Sequence, residues 1–223
     1  MTVRADTFTP QVLISAPRRS AGIANSAGSK VLYTTSTYSF ESHNKTVELR
    51  CLDVKSKESK LLTNDDSVSD PVWLGDEDKF ACLKSGKDGS TQVLVASINS
   101  ESGLDAYTAG VIEGPASSLK LAQLSETSYA IVVAAQTSPD GSLYNPEKAP
   151  KTQSTGKLYD SLFVRHWDAY KTKEKNALFY GTLKKGNGGK YEMSGLVNAL
   201  KGTTLESPIP PFGGTDSFDV GKR

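Results

Sequence analysis

The sequence predicts an all-β fold, a partial β-propeller of three blades and the start of a fourth, with one helical insert. Two observations predict it. A turn-and-strand cassette recurs at a spacing of about 48 residues, and a regular period of that size built from short strands marks propeller blades. The recurring first strands are Lys30-Val31-Leu32-Tyr33, Lys79-Phe80-Ala81-Cys82-Leu83 and Tyr129-Ala130-Ile131-Val132-Val133. Each follows a polar turn: Ser26-Ala27-Gly28-Ser29, Gly75-Asp76-Glu77-Asp78 and Ser125-Glu126-Thr127-Ser128. The second observation is that each unit continues in the same way. A further strand recurs at 47–54, 91–98 and 177–183, and a closing strand at 60–63, 106–108 and 197–200.

In chain order, residues 1–17 read as a lead-in, whose Gln11-Val12-Leu13-Ile14 forms an apolar turn stopped by Pro17. The first blade covers about 18–63. Its second strand alternates as a half-buried sheet should, with Leu49 and Cys51 on one face and Glu48 and Arg50 on the other. The second blade, about 64–109, opens on Asp70-Pro71-Val72-Trp73-Leu74-Gly75-Asp76. There Pro fixes the entry, the aromatic packs between blades and the Gly-Asp pair makes the tight turn. The third blade covers about 110–200 and is longer than the others because about 40 extra residues, roughly 135–170, interrupt it.

That insert begins with polar, Pro/Gly/Ser-rich sequence (138–142 and 147–156) and then tightens into Lys157-Leu158-Tyr159-Asp160-Ser161-Leu162-Phe163-Val164-Arg165-His166-Trp167-Asp168. Leu158, Leu162 and Phe163 are spaced for a short amphipathic helix, with Asp160 in its first turn. A long structured insert in a regular repeat usually faces a functional surface. Residues 201–223 read as the start of a fourth blade. Ser207-Pro208-Ile209-Pro210-Pro211-Phe212-Gly213-Gly214 aligns with the Pro-aromatic opening of the second blade, and residues 218–223 form the turn before a strand that does not follow. The sequence therefore reads as the front part of a longer protein.

Composition is that of a globular chain, with 37% hydrophobic and 23% charged residues. Net charge is +1 and no Lys/Arg run exceeds two residues, so neither a nucleic acid nor a membrane surface is indicated as partner. No apolar run approaches the roughly 20 residues of a membrane span, and Met1-Thr2-Val3-Arg4-Ala5-Asp6 lacks an apolar signal core. Cys51 and Cys82 fall on the apolar faces of strands in consecutive cassettes, so both read as buried and a disulfide between them is possible but not required. Asn44-Lys45-Thr46 is a glycosylation sequon placed in an exposed hairpin.

The chemistry of a complete active site is missing. An α/β-type serine hydrolase needs G-x-S-x-G, which sets its nucleophile on a strained elbow, and no such string occurs. The only histidines are His43 and His166, and two isolated His with two buried Cys make no metal site. No catalytic residue, metal ligand or cofactor fingerprint is therefore assigned. The densest polar-aromatic cluster is Arg165-His166-Trp167-Asp168. As a substrate-binding cluster, Asp168 would hold an ammonium and Arg165 a carbonyl or carboxylate. As packing, Trp167 would lie between blades and Arg165 would bridge to Asp168; this is the more ordinary reading, because Trp packs more often than it binds.

The motifs Ile14-Ser15-Ala16-Pro17-Arg18-Arg19, Leu143-Tyr144-Asn145, Tyr159-Asp160-Ser161-Leu162-Phe163-Val164-Arg165-His166-Trp167-Asp168 and Pro210-Pro211-Phe212-Gly213-Gly214 carry a family resemblance. From about Phe8 onward the chain resembles the N-terminal part of the fungal secreted dipeptidyl-peptidase V family, in the prolyl-oligopeptidase clan of serine peptidases. The resemblance implies a propeller preceding a C-terminal α/β-hydrolase domain, release of dipeptides from peptide N-termini, secretion and glycosylation. None of the family's Ser, Asp or His triad residues maps onto a position here, so this chain alone is expected to be inactive. The propeller's share would be to gate and orient peptide substrates, with the hydrolase domain of the same protein as partner. The alternative is a non-enzymatic propeller module that binds protein or carbohydrate.

Overall fold

Phe80-Ala81-Cys82-Leu83 and Val93-Leu94-Val95-Ala96 are apolar without a polar break, a pattern that suits strands covered on both faces. Strands whose polar and apolar residues alternate, such as the one around Leu49 and Cys51, need cover on one face only. A computed structural model describes residues 8–75, 78–99, 104–151 and 153–221, and it arranges the strands in this way.

After a short helix α1 (Pro10–Ser15), capped by the Thr9 side chain, the chain forms three successive antiparallel sheets. The first contains β1 (Arg18–Arg19), β2 (Ile23–Ala24), β3 (Lys30–Ser39), β4 (Asn44–Asp53) and β5 (Ser59–Thr63). The second is β6 (Val68–Trp73), β7 (Lys79–Ser85), β8 (Thr91–Ser97) and β9 (Asp105–Ile112). In the third, β10 (Ala116–Ser125) pairs with β11 (Ser128–Thr137). After a separate small hairpin of β12 (Arg165–His166) and β13 (Ala169–Tyr170), β11 pairs with β14 (Lys175–Lys185), whose far edge is shared by β15 (Tyr191–Met193) and β16 (Val197–Asn198). Three sheets in sequence order, packed face to face, are three blades of a β-propeller.

The second sheet is buried on both sides. Phe80, Cys82, Leu94 and Ala96 meet Leu32, Leu49, Cys51 and Leu62 of the first sheet. Ala81, Leu83, Val93 and Val95 meet Ile131, Val133, Phe179 and Leu183 of the third. Cys51 and Cys82 thus share one inter-sheet core as free thiols, and no disulfide joins them. Burial pushes the Cys82 thiol up to about 12, and burial likewise raises Cys51, so neither is a nucleophile at neutral pH.

The structure departs from the sequence expectations in two places. Residues 68–73 were expected only as a lead-in and 116–125 not at all, yet they form the first strands, β6 and β10, of their sheets. Both are hard to see because each is broken by a bulge at a residue of positive φ, Asp70 at 48° before Pro71 and Ser118 at 58°. A bulge is one of the few places where a strand tolerates Pro. Second, the short helix expected from the spacing of Leu158, Leu162 and Phe163 does not form. Leu158, Leu162 and Phe163 are 93%, 86% and 75% exposed, and a short helix without a face to bury is not self-sustaining. Residues 201–221, read as the start of a fourth blade, contain no strand among those described. The lead-in residues 1–7, the Asp76-Glu77 turn and Lys222-Arg223 lie outside the described residues.

Polar contacts key neighbouring blades together. Lys30 pairs with Asp78 at 2.7 Å, and the Lys60 ammonium donates to the Ile98 carbonyl at 2.8 Å. The Asp70 carboxylate, at the bulge of β6, accepts from the amide of Ser118, at the bulge of β10, at 2.6 Å. The crossing from first to second sheet turns on Asp65. Its carboxylate accepts from the amide and hydroxyl of Ser67 and pairs with Lys84 at 2.8 Å.

Two stability predictions follow from this packing. Phe80 is fully buried, so Phe80→Ala should cost about 3–5 kcal/mol, read from the midpoint of urea unfolding. The hydrogen bond from Lys84, then those from Ser67, hold the Asp65 carboxyl at about 2, below its ordinary value. A depressed carboxyl stabilises the fold above its unfolded pKa, and that contribution is lost as pH falls through about 2. Melting temperature followed downward from pH 5 should therefore fall less steeply in Asp65→Asn than in the unaltered chain.

Candidate functional site

The insert between β11 and β14 is built in two halves with different anchoring. Ser138-Pro139-Asp140-Gly141-Ser142 suits a tight turn, with Pro, Asp and Gly in sequence. The Gly141 amide donates to the Ser138 carbonyl at 2.8 Å, and the Asp140 carboxylate accepts from the amide and hydroxyl of Ser142. The chain then drops onto the second blade at Asn145, a buried side chain. Its amide nitrogen donates to the carbonyls of Asp88 and Glu113 at 3.1 and 2.9 Å, and its oxygen accepts from the Glu147 amide at 3.0 Å. Gly89, at φ +74°, lets Asn145 in: a Cβ there would stand 2.6 Å from the Asn145 oxygen. Lys148 and Glu113 add an ion pair at 2.5 Å.

These contacts define one end of the molecule. Asn145 joins the insert to the turn between β7 and β8, and the Lys30–Asp78 pair fixes the opposite ends of the first two sheets together. The hairpin between β3 and β4, carrying His43 and the sequon residue Asn44, therefore projects from the same end as the insert. Tyr38 and His43 share a hydrogen bond of 3.2 Å in that hairpin, and Asn44 is exposed.

The second half of the insert is held by aromatics. Tyr159 stacks on Tyr170 with centroids 6.4 Å apart and donates its hydroxyl to the Lys171 carbonyl at 3.0 Å. The Lys157 ammonium lies over the Tyr170 ring. Arg165 and His166 form β12, and Trp167 (φ 48°) and Asp168 make the turn into β13. All four are exposed. Arg165 and Asp168 form no ion pair, and Trp167 does not enter the blade core. It is 72% exposed and sits edge-on to Phe212, centroids 5.4 Å apart. The packing role expected for this cluster is therefore not what the structure shows.

His166 alone of the four lines a cleft of about 390 Å³, where it is joined by Gln136, Tyr170, Glu174, Glu206 and Ile209. Glu206 gave no sequence signal, because nothing in Leu205-Glu206-Ser207 distinguishes it from a solvated loop carboxylate. Its partner reveals it: the carboxylate accepts from the Asn176 amide at 3.1 Å, while Asn176 donates its side-chain amide to the Pro208 carbonyl at 2.9 Å. Residues 206–208 are thereby laced to the start of β14, beside the insert. The cleft offers the Glu174 and Glu206 carboxylates, an imidazole and a phenol, but Lys171 and Lys175 line it too, so it presents both charges to a polar ligand. Among the described residues no group of three His, Cys, Asp or Glu is placed to hold a metal, and no helix is long and apolar enough to cross a membrane.

Over 220 residues the chain is 39% identical to a probable dipeptidyl-peptidase 5 of Aspergillus clavatus, covering 96% of this chain. It is 39% identical over the same span to the dipeptidyl-peptidase 5 of Aspergillus fumigatus. The chain resembles one part of a fungal dipeptidyl-peptidase 5. It spans only 30% of the length of these relatives. No family model matches it. In three dimensions it superposes on part of the acylaminoacyl peptidase of Pyrococcus horikoshii with a TM-score of 0.56 and 12% identity, covering 83% of this chain and 26% of that one. A second acylaminoacyl peptidase structure, in complex with Z-Gly-Gly-Phe-chloromethyl ketone, gives the same TM-score over 84% of this chain and 26% of that one, again at 12% identity. At that identity the match speaks for the fold alone.

Asn145 is the residue whose removal tests this arrangement. Asn145→Ala strands two carbonyl acceptors, a loss of about 1–3 kcal/mol. Limited proteolysis should then cut within 146–156 at a lower protease concentration, while the sheets resist as before.

Proposed function

We propose that the chain is the propeller portion of a secreted serine-type dipeptidyl-peptidase that releases dipeptides from peptide N-termini. The observation that carries this reading is the 39% identity to dipeptidyl-peptidase 5 across 96% of the chain. The bond chemistry belongs to an α/β-hydrolase domain of the parent protein, since G-x-S-x-G does not occur in these 223 residues. The propeller's part is to admit short or unfolded peptides and orient their N-termini, a contribution that lowers the barrier by positioning alone. The insert end supports this role, because it gathers the polar groups of the His166 cleft and the free carboxylate of Asp168 outside the packed blades. In an export pathway Asn44, exposed in its hairpin, would carry an N-linked glycan.

The test uses both the parent and this chain. Full-length parent should hydrolyse dipeptide reporters with free N-termini and lose that activity to a serine-directed inhibitor, whereas the purified 223-residue chain should show no turnover. If the Asp168 carboxylate pairs with the substrate ammonium, Asp168→Asn in the parent should lower kcat/KM for free reporters by about tenfold, the scale of one charge-assisted hydrogen bond. N-capped reporters and melting temperature should be unaffected. A drop in melting temperature with unchanged kinetics would show instead that Asp168 is structural.

A further inference from the structure

A second cleft, of about 380 Å³, lies beside the His166 cleft and shares Lys175 and Asn176 with it. Its walls come from three stretches far apart in sequence: the turn after β11 (137–141), the root of β14 (173–177) and the loop after β16 (198–205). Lys173, Lys175 and Lys201 all line it, against a single carboxylate, that of Asp140. That carboxylate is already engaged, accepting from the Ser142 amide and hydroxyl at 3.0 and 2.7 Å. None of the three lysines forms an ion pair among the described residues.

The three walls are fastened to one another, so the fold itself gathers these lysines. Asn198 donates its side-chain amide to the Gly141 carbonyl at 3.0 Å, and its oxygen accepts from the Leu200 amide at 2.8 Å. The Thr137 hydroxyl donates to the Lys175 carbonyl at 3.2 Å, and the Lys175 ammonium reaches the Thr204 carbonyl at 3.5 Å. Gly141, at φ +79°, leaves room for the stem of Lys201: a Cβ there would stand 3.0 Å from the Lys201 Cγ. Like charges around one concavity repel one another, a cost that a bound anion would offset. The volume falls within the roughly 300–1,000 Å³ of sites for small organic ligands. The described residues form every wall, so the cleft needs no further blade to complete it.

We propose that Lys173, Lys175 and Lys201 form a carboxylate-binding site that takes the free C-terminus or an acidic side chain of a peptide. This rests on the reading of the chain as part of a dipeptidyl-peptidase, which is what brings peptides to this end of the third sheet. The neighbouring His166 cleft sets Glu174 and Glu206 against its lysines, whereas here three lysines face one engaged carboxylate. A carboxylate is therefore drawn to this cleft in preference to that one. A lysine ammonium is a point charge on a flexible stem, without the fixed fork of a guanidinium. The site accordingly selects for charge, whichever residue of the peptide carries it.

The test titrates the full-length parent calorimetrically with three acetylated pentapeptides, which lack the free ammonium of a substrate. One carries a central glutamate and an amidated end, one a glutamine and a free C-terminal carboxylate, and one a glutamine and an amidated end. Binding of either carboxylate peptide, without binding of the uncharged one, is the expected result, and which of the two binds identifies the source of the carboxylate. Lys173→Gln combined with Lys201→Gln should weaken that binding by about tenfold or more, the scale of one charge-assisted hydrogen bond. Melting temperature should stay unchanged, because both side chains are exposed. The paired control Lys184→Gln and Lys185→Gln, at the far end of β14, should leave binding as it was. Equal binding of all three peptides, binding of neither carboxylate peptide, full affinity in the cleft variant, or an equal loss in the control would each overturn the site. Reporter hydrolysis by the unaltered parent is measured separately, so failure of the peptidase reading shows as lack of turnover whatever the titrations give.

Discussion

Burial of both faces of the second sheet is the interaction on which the rest of the structure depends, because that sheet supplies side chains to each of the two cores. Phe80 and Cys82 point one way and Ala81 and Leu83 the other. A strand can do this only if a sheet stands on each side, so the first and third sheets are required by the composition of β7 and β8. Two consequences follow in the sequence. The first sheet needs apolar residues on one face only, and its β4 alternates; the middle sheet needs them on both, and β7 and β8 do not. The polar keys, Lys30–Asp78 and Asp70–Ser118, then fix neighbouring sheets in register over cores that are themselves indifferent to sliding.

This division of labour explains what could be read in the sequence. The strands carrying the cores, β3, β4, β7, β8, β11 and β14, stand out because their periodicity comes directly from burial. The innermost strands β6 and β10 do not. Each is interrupted at a left-handed residue, Asp70 in β6 and Ser118 in β10, and β6 also contains Pro71, so local signals favour a turn. The insert misleads for the opposite reason. Its apolar spacing is real, but amphipathic spacing makes a helix only when something covers the apolar side. Nothing within the described residues covers Leu158 or Phe163.

The candidate site was legible in location and not in detail. Length and composition marked the insert, and Arg165, His166, Trp167 and Asp168 all lie in its hairpin. Which of them meets a cleft depends on contacts made far along the chain, with Glu206 reached only through Asn176 and the root of the insert held through Asn145. Such pairings join residues 30 to 57 positions apart and leave no periodic trace. The structural relatives give the same answer at another scale: at 12% identity the blade arrangement persists while local sequence does not.

The bond from the Ser118 amide to Asp70 has a geometric meaning beyond its strength. In a ring of repeated units, each unit's rotation relative to the last is added to all the others, so a small angular error per blade becomes a large misfit where the circle must meet. A given displacement turns a blade through the widest angle when it occurs close to the axis, and the innermost strand is the one nearest it. Pinning backbone to carboxylate at that radius, with two left-handed residues 48 positions apart, sets the angular pitch where tolerance is smallest.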